Sequence, residues 1–221
     1  MEKFVIIVAG GTGRRMFADI PKQFIPVNGK PLLFYSLQTF FNAISEIGII
    51  LAIPEDYIKY WTHLCKTYKI EIPHQIVVGG GTRFESVKKG LNILPDNGLV
   101  AIHDGVRPLV SDILIKNVFQ NAMEFGNAVP AIPIDESVRL LQNGQNRIIN
   151  RSNLRIIQTP QCFKLSLIKE AYQQNFQNTF TDDASVLEKL GVPIHLIEGL
   201  KENIKITYPD DLLFAEVLLS K

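Results

Sequence analysis

Cysteine is scarce in this chain. Cys65 and Cys162 are the only two in 221 residues, too far apart for a CxxC metal or redox motif and too few for a disulfide framework. Two reduced thiols in a cytosolic protein is the expectation, and no side chain near Cys162 in sequence reads as a base that would make it a nucleophile. Charge of one sign is equally scarce. The 23 basic and 22 acidic residues leave a net charge of +1, without the basic excess that marks most nucleic-acid binders. Long hydrophobic runs are missing too. Phe4 to Ala9 is apolar, but it is shorter than the core of a signal peptide and runs into glycines and arginines. No stretch reaches the ~20 apolar residues of a membrane span. The expectation is a cytoplasmic protein with neither a membrane nor a nucleic acid as partner. Four histidines are present, and none falls into a recognisable catalytic triad. Internal repeats, low-complexity tracts and linkers are absent.

What is there is an ordinary globular composition, 46% hydrophobic and 20% charged, in a length that suits one large domain. Short apolar runs alternate with helical patterns. Val5 to Val8 precedes a glycine loop; Pro31 opens a helix through Phe41; Ile49 to Ile53 stops at Pro54; a helix carries Trp61 and Leu64. Ile76 to Val78 precedes Gly79-Gly80-Gly81, and a helix runs from about Thr82 to Leu94. Leu99 to Ile102 ends at His103-Asp104, a helix covers about Ser111 to Phe125, and Ala128 to Ile132 is a further strand. Continuous apolar strands separated by helices imply a mostly parallel sheet covered on both faces. In such sheets ligands sit at the C-terminal strand ends, where both glycine loops and Asp104 fall. The alternation breaks between about 135 and 158. There Val138 to Gln142 and Ile148 to Ile157 read as strands around Asn143-Gly144, a strong hairpin signal. Helices near 165–175 and 182–190, strands near 192–198 and 203–207, and a helix from about 209 complete the chain.

The first glycine loop is Ala9-Gly10-Gly11-Thr12-Gly13-Arg14-Arg15-Met16, followed by Pro21-Lys22-Gln23. Glycines let backbone approach a ligand closely, and successive N–H groups can face phosphate oxygens. Two arginines and a lysine follow within ten residues of the last glycine. The P-loop pattern GxxxxGK[ST] is absent, and the dinucleotide pattern GxGxxG fails because Met16 holds its third glycine position. A phosphate site of another kind, or a tight turn with solvated cations, remains.

That segment resembles the signature of the nucleotidyltransferases, and more closely the 2-C-methyl-D-erythritol 4-phosphate cytidylyltransferase family of the non-mevalonate isoprenoid pathway. Gly80-Gly81-Thr82-Arg83-Phe84-Glu85-Ser86-Val87, His103-Asp104-Gly105-Val106-Arg107-Pro108, Gln158-Thr159-Pro160-Gln161, Thr181-Asp182-Asp183-Ala184-Ser185 and Glu202-Asn203-Ile204-Lys205-Ile206-Thr207 match in the same order, so the likeness spans residues 9 to 207. It implies a Rossmann-like α/β fold in a single domain over 1–221. It also implies a hairpin arm at about 136–158 exchanged between the subunits of a homodimer, and Mg²⁺ bound mainly through CTP phosphates rather than by protein ligands. Arg15 and Lys22 match the family's transition-state cations. Ala9, Gly10, Gly11, Thr12 and Gly13, with Gly80, Gly81, Arg83 and Ser86, match its CTP-binding loops. Asp104 and Arg107 match its sugar-alcohol contacts. Lys205, Thr159, Ser137 and Arg151 match its phosphate-positioning residues, the last two supplied by the other subunit. Gly10, Gly105-Val106, Glu136, Ser137 and Asn150 depart from the commonest pattern. The Gly10 and Val106 departures lean slightly toward a sister enzyme acting on ribitol 5-phosphate. A non-catalytic nucleotide-binding module on the same fold is the alternative from another class.

The implied reaction needs no protein nucleophile, because a phosphate is already ionised at neutral pH. Catalysis has to come from positioning and charge neutralisation. Some of these residues also have plainer readings. Asp104 could cap the following turn, Lys205 could be a surface lysine on a strand, and Arg14 could be solvated. His103 reads as structural, and Asp182-Asp183 as a helix N-terminus rather than a metal pair.

Overall fold

The computed structural model describes residues 1–11 and 20–220. In chain order the elements are β1 (Lys3–Val8), a 3-10 turn (Lys22–Phe24), β2 (Pro26–Val27), β3 (Lys30–Pro31), α1 (Leu32–Ala43), β4 (Gly48–Ile53), α2 (Glu55–Thr67), β5 (Gln75–Val78), α3 (Arg83–Asn92), β6 (Leu99–Asp104) and α4 (Asp112–Phe125). They continue with β7 (Asn127–Pro133), β8 (Arg139–Gln142), β9 (Gln145–Ile148), a 3-10 turn (Arg151–Asn153), β10 (Arg155–Ile157), β11 (Gln161–Lys164), α5 (Leu165–Ala171), α6 (Asp183–Glu188), β12 (Leu196–Glu198) and α7 (Pro209–Leu219).

The central sheet has the order β10-β7-β11-β6-β1-β4-β5, with β12 beside β7. β1 pairs parallel with β4 and β6, and β4 parallel with β5. The apolar runs are continuous because alternate residues enter two different cores. Val5 and Ile7, Ile49 and Leu51, and Leu99 and Ala101 face one layer with Leu33, Phe40, Trp61 and Leu114. Ile6, Ile50, Val100 and Ile102 face the other with Phe84, Val87, Leu91 and Ile168. A strand buried on both faces has no polar side to alternate with. The expected mostly parallel, helix-flanked sheet is therefore the one observed.

Three local readings change. Gln161–Lys164, which carries no strand signal, is β11, wedged antiparallel between β6 and β7. Residues 203–207, read as a strand, make no ladder; Ile206 N–H donates to the Val106 carbonyl at 2.9 Å. The second strand of the hairpin lies earlier than read, at Gln145–Ile148 rather than Ile148 to Ile157. β8 pairs with β9 through Asn143 and Gly144, both at positive φ (51° and 74°) as a primed turn requires. After a 3-10 turn, β10 returns to pair with β7 instead. The hairpin stands away from both cores, with Leu141 78% and Ile148 80% exposed.

Candidate active site

A cleft of about 400 Å³ opens at the C-terminal ends of β1, β5 and β6. Its first wall is Val8 to Gly11, leaving β1. Ala9 N–H donates to the Ala52 carbonyl at 2.9 Å, and Gln23 Nε2 donates to the Ala9 carbonyl at 2.7 Å. The second wall is Gly80 to Arg83 with Ser86, leaving β5 and entering α3. Here Thr82 caps the helix, and Glu85 returns the bond to complete a capping box. Ser86 Oγ accepts from Gly80 N–H at 3.0 Å and donates to the Thr82 carbonyl at 2.9 Å. A Cβ on Gly80 would lie 2.3 Å from Glu85 Cβ, so this turn closes only around glycine. Lys22 and Gln23 from the 3-10 turn, Asp104 at the end of β6, and Lys205 and Thr207 complete the lining.

Asp104 organises the floor. Its Oδ2 receives Lys205 Nζ at 2.8 Å and faces Arg107 Nε at 3.7 Å, while Oδ1 receives Arg83 Nε at 3.2 Å. Burial pushes this carboxyl's pKa up, but Arg83, Lys205 and Arg107 outweigh burial and hold it well below the usual carboxylate range. Arg83 is gripped from its other edge by Asp183, which accepts Nη1 at 2.8 Å and Nη2 at 2.7 Å. Tyr172 Oη donates to the same Asp183 carboxylate at 2.6 Å. Lys22 Nζ donates to the Ile206 carbonyl at 2.6 Å, which ties the 3-10 turn to the segment that carries Lys205.

The candidate residues named from the sequence thus fall into four places. Ala9, Gly10, Gly11, Gly80, Gly81, Arg83, Ser86, Lys22, Asp104 and Lys205 meet in the cleft. Arg107 and Thr159 are buried behind Asp104. Arg107 Nη1 donates to the Asn203 carbonyl at 2.7 Å, and Thr159 Oγ1 accepts the Asp104 N–H at 3.1 Å. Ser137 and Arg151 lie exposed at the arm, away from the cleft lining, with Arg151 donating to the Asp135 carbonyl. Thr12, Gly13 and Arg15, with Arg14, lie outside the described residues.

The two adjacent aspartates divide their work. Asp182 is the N-cap of α6, accepting Ser185 N–H at 2.9 Å; Asp183 turns inward to Arg83. No cluster of three His, Cys, Asp or Glu that could hold a metal ion occurs among the described residues. Sequence reasoning missed the Asp183–Arg83 clamp, whose partners stand 100 residues apart. It also missed Gln23, whose one signal was its place beside Lys22.

Comparison with known proteins bears on this geometry. Residues 3–221 match the family model described as IspD, 2-C-methyl-D-erythritol 4-phosphate cytidylyltransferase. The protein of that name from Azobacteroides pseudotrichonymphae is 48% identical over 220 residues, covering 99% of each chain. The one from Phocaeicola vulgatus is 47% identical over 219 residues, covering 99% of this chain and 100% of its own. Among solved structures, 4-diphosphocytidyl-2C-methyl-D-erythritol synthase from Anaerococcus prevotii superposes with a TM-score of 0.83 at 30% identity, covering 100% of this chain and 96% of that one. The fold, the cleft and the match along nearly the whole length agree, and the chain belongs to the 2-C-methyl-D-erythritol 4-phosphate cytidylyltransferase family.

Proposed function

We propose that this cleft is where the chain transfers the cytidylyl group of CTP to 2-C-methyl-D-erythritol 4-phosphate. The products are 4-diphosphocytidyl-2-C-methyl-D-erythritol and pyrophosphate, in the non-mevalonate route to isoprenoid precursors. The observation that carries the reading is the meeting, in one cleft, of two glycine-lined walls, Lys22, and Arg83 and Lys205 paired with one carboxylate, Asp104. An oxygen of the sugar-alcohol phosphate attacks the α-phosphorus of CTP. The new P–O bond forms as the bond to the bridging α–β oxygen breaks, and pyrophosphate leaves with that electron pair. The difficulty is bringing one anion against another, so fixed cations and placement carry the rate.

In this reading Ala9, Gly10, Gly11, Gly80, Gly81 and Ser86 hold CTP, together with Thr12 and Gly13. Lys22 and Arg15 offset the charge that grows at the α-phosphorus and the leaving group. Asp104 accepts from hydroxyls of the sugar alcohol, and Lys205 faces its phosphate. Arg107 and Thr159 act from behind by holding Asp104. Mg²⁺ fits as a companion of the CTP phosphates rather than of a protein cage. Asp104 is the one carboxylate lining the cleft among the described residues, and its oxygens already face cations. When bound, Mg²⁺ would neutralise phosphate charge while keeping several waters.

The same reading makes the protein a homodimer in which the hairpin arms exchange, bringing Ser137 and Arg151 of the partner subunit to the sugar phosphate. Exposed Leu141 and Ile148 on the arm support it. A cytoplasmic location is in keeping with unpaired Cys65 and Cys162. No helix among the described residues is long and apolar enough to cross a membrane.

The test is pyrophosphate release with CTP and Mg²⁺, offering methylerythritol phosphate and ribitol phosphate in parallel. Turnover with methylerythritol phosphate is expected. Turnover with ribitol phosphate alone would overturn the substrate, and silence with both would overturn the reaction.

A further inference from the structure

His103, the penultimate residue of β6, is fully buried with its ring edge-on to Phe40 at 5.2 Å between centroids. The proposed reaction makes no use of it, yet both ring nitrogens are engaged. Nε2 lies 3.1 Å from the Arg107 carbonyl oxygen, and Nδ1 lies 3.2 Å from Thr159 Oγ1. A carbonyl only accepts, so Nε2 carries the ring hydrogen. Burial lowers the imidazole pKa to about 4, so at neutral pH Nδ1 is bare and accepts the hydroxyl hydrogen of Thr159. Thr159 Oγ1 in turn accepts the Asp104 N–H. Arg107 N–H closes the circuit on the Asp104 carbonyl at 3.0 Å. Each hydrogen in this ring has one direction, and the single hydroxyl hydrogen of Thr159 is spent inward on His103.

We propose that His103 is a positioning residue for the sugar-alcohol phosphate: through Thr159 it fixes the turn at 103–107 that presents the Asp104 carboxylate to the cleft. The inference rests on the reading that Asp104 meets the sugar alcohol. The CTP walls have anchors of their own in the Gln23–Ala9 and Ser86–Gly80 bonds. Arg83 meets Asp104 through Nε, but Asp183 holds its two terminal nitrogens from outside the turn. Loosening the ring therefore acts on one substrate and spares the other.

Steady-state kinetics on the full chain, varying each substrate in turn, tests this. Thr159→Val and His103→Gln are each expected to raise KM for methylerythritol phosphate about tenfold, the scale of one lost hydrogen bond at a buried group, and to leave KM for CTP within about twofold. Thr159→Ser keeps the hydroxyl and restores the wild-type value. His103→Asn, whose side-chain oxygen can stand in for Nδ1, retains more than His103→Gln. The double variant Thr159→Val/His103→Gln is no worse than Thr159→Val, because both remove the same link. Equal weakening of both substrates, or independent effects that multiply in the double variant, would overturn the proposal. Nitrogen-15 NMR of wild-type imidazoles gives a readout free of folding defects and of activity. His103 is expected with hydrogen on Nε2 and a bare Nδ1, and hydrogen on Nδ1 would break the ring. Failure of the cytidylyltransferase reading looks different. Wild type would then release no pyrophosphate while NMR still reports the stated tautomer, which removes the substrate half of the proposal and keeps the ring.

Discussion

Asp183 has no exposed surface, and its two carboxylate oxygens hold the two terminal nitrogens of Arg83 while Tyr172 donates to one of them. Removing one partner from such a pair leaves a charge badly served, at a cost of about 3–5 kcal/mol when both groups are buried. Arg83 is 29% exposed, so Asp183→Asn should cost about 3 kcal/mol, the lower end of that range. Denaturant unfolding reads this as a lower midpoint, and an unchanged midpoint would refute the clamp. Lys22 lines the cleft and is buried. Lys22→Ala should lower kcat by about 10²–10³ with the fold intact, the usual loss for one preorganised charge donor. Near-wild-type turnover would remove Lys22 from the chemistry. At this scale the sequence was informative about charged side chains near glycine loops, because Lys22 and Asp104 sit in compact motifs. It placed Asp183 at a helix N-terminus, where α6 does begin, but was silent about its grip on Arg83, a partner brought close only by the fold.

Between residues and the whole, the elements differ in how plainly they were written. Helix α3 announces itself with Thr82 and Glu85, and the capping box is there. Thr82→Ala should cost about 1 kcal/mol, seen as a lower denaturant midpoint, and no change would mean that the cap carries nothing. Strand β11 was illegible because Gln161-Cys162-Phe163-Lys164 is short and has no period; its burial between β6 and β7 makes it a strand. Residues 203–207 mislead in the opposite direction. Ile206 is buried and Lys205 exposed, but Asn203 is buried as well, so the burial does not alternate, and no neighbouring strand accepts the segment. The turn of the hairpin was legible from Asn143-Gly144, while the place of its second strand was not. Under the proposed exchange, Leu141→Asp with Ile148→Asp should shift the protein from dimer to monomer in sedimentation without lowering its thermal stability as a monomer. A dimer that survives both changes would place the interface elsewhere.

For the molecule as a whole, pH sets a common fate for the floor of the site. His103 is lowered to about 4 by burial, against about 6.5 when unfolded. Between those values the unfolded chain binds the extra proton, so His103 favours the fold fully above pH ~6.5 and loses that contribution as pH falls toward ~4. The size is on the order of 3 kcal/mol. Asp104, held below its usual range despite burial, adds stability that persists until the pH falls below about 4. Melting temperature should therefore decline as pH drops from 7 to 4, and His103→Gln should flatten that slope. An equal slope in the variant would show that other groups set it. Fold class was readable at this scale because strands buried on both faces leave an unmistakable apolar signature. The order of the sheet was not, since pairing partners are chosen by the closed structure.

The arm leaves β7 at its end and returns along the same strand, with Arg155 opposite Pro133, Ile156 opposite Ile132 and Ile157 opposite Ala131. Exit and re-entry thus lie side by side, sealed by main-chain bonds. In evolutionary terms the span between them is a cassette. Lineages can lengthen, shorten or re-sequence it without shifting the register of a single sheet residue, while Thr159, two positions after the seam, stays where Asp104 needs it. Under the proposed exchange only Ser137 and Arg151 within the span answer to an active site, so the tip between them can change freely while the seam and the cleft stay fixed.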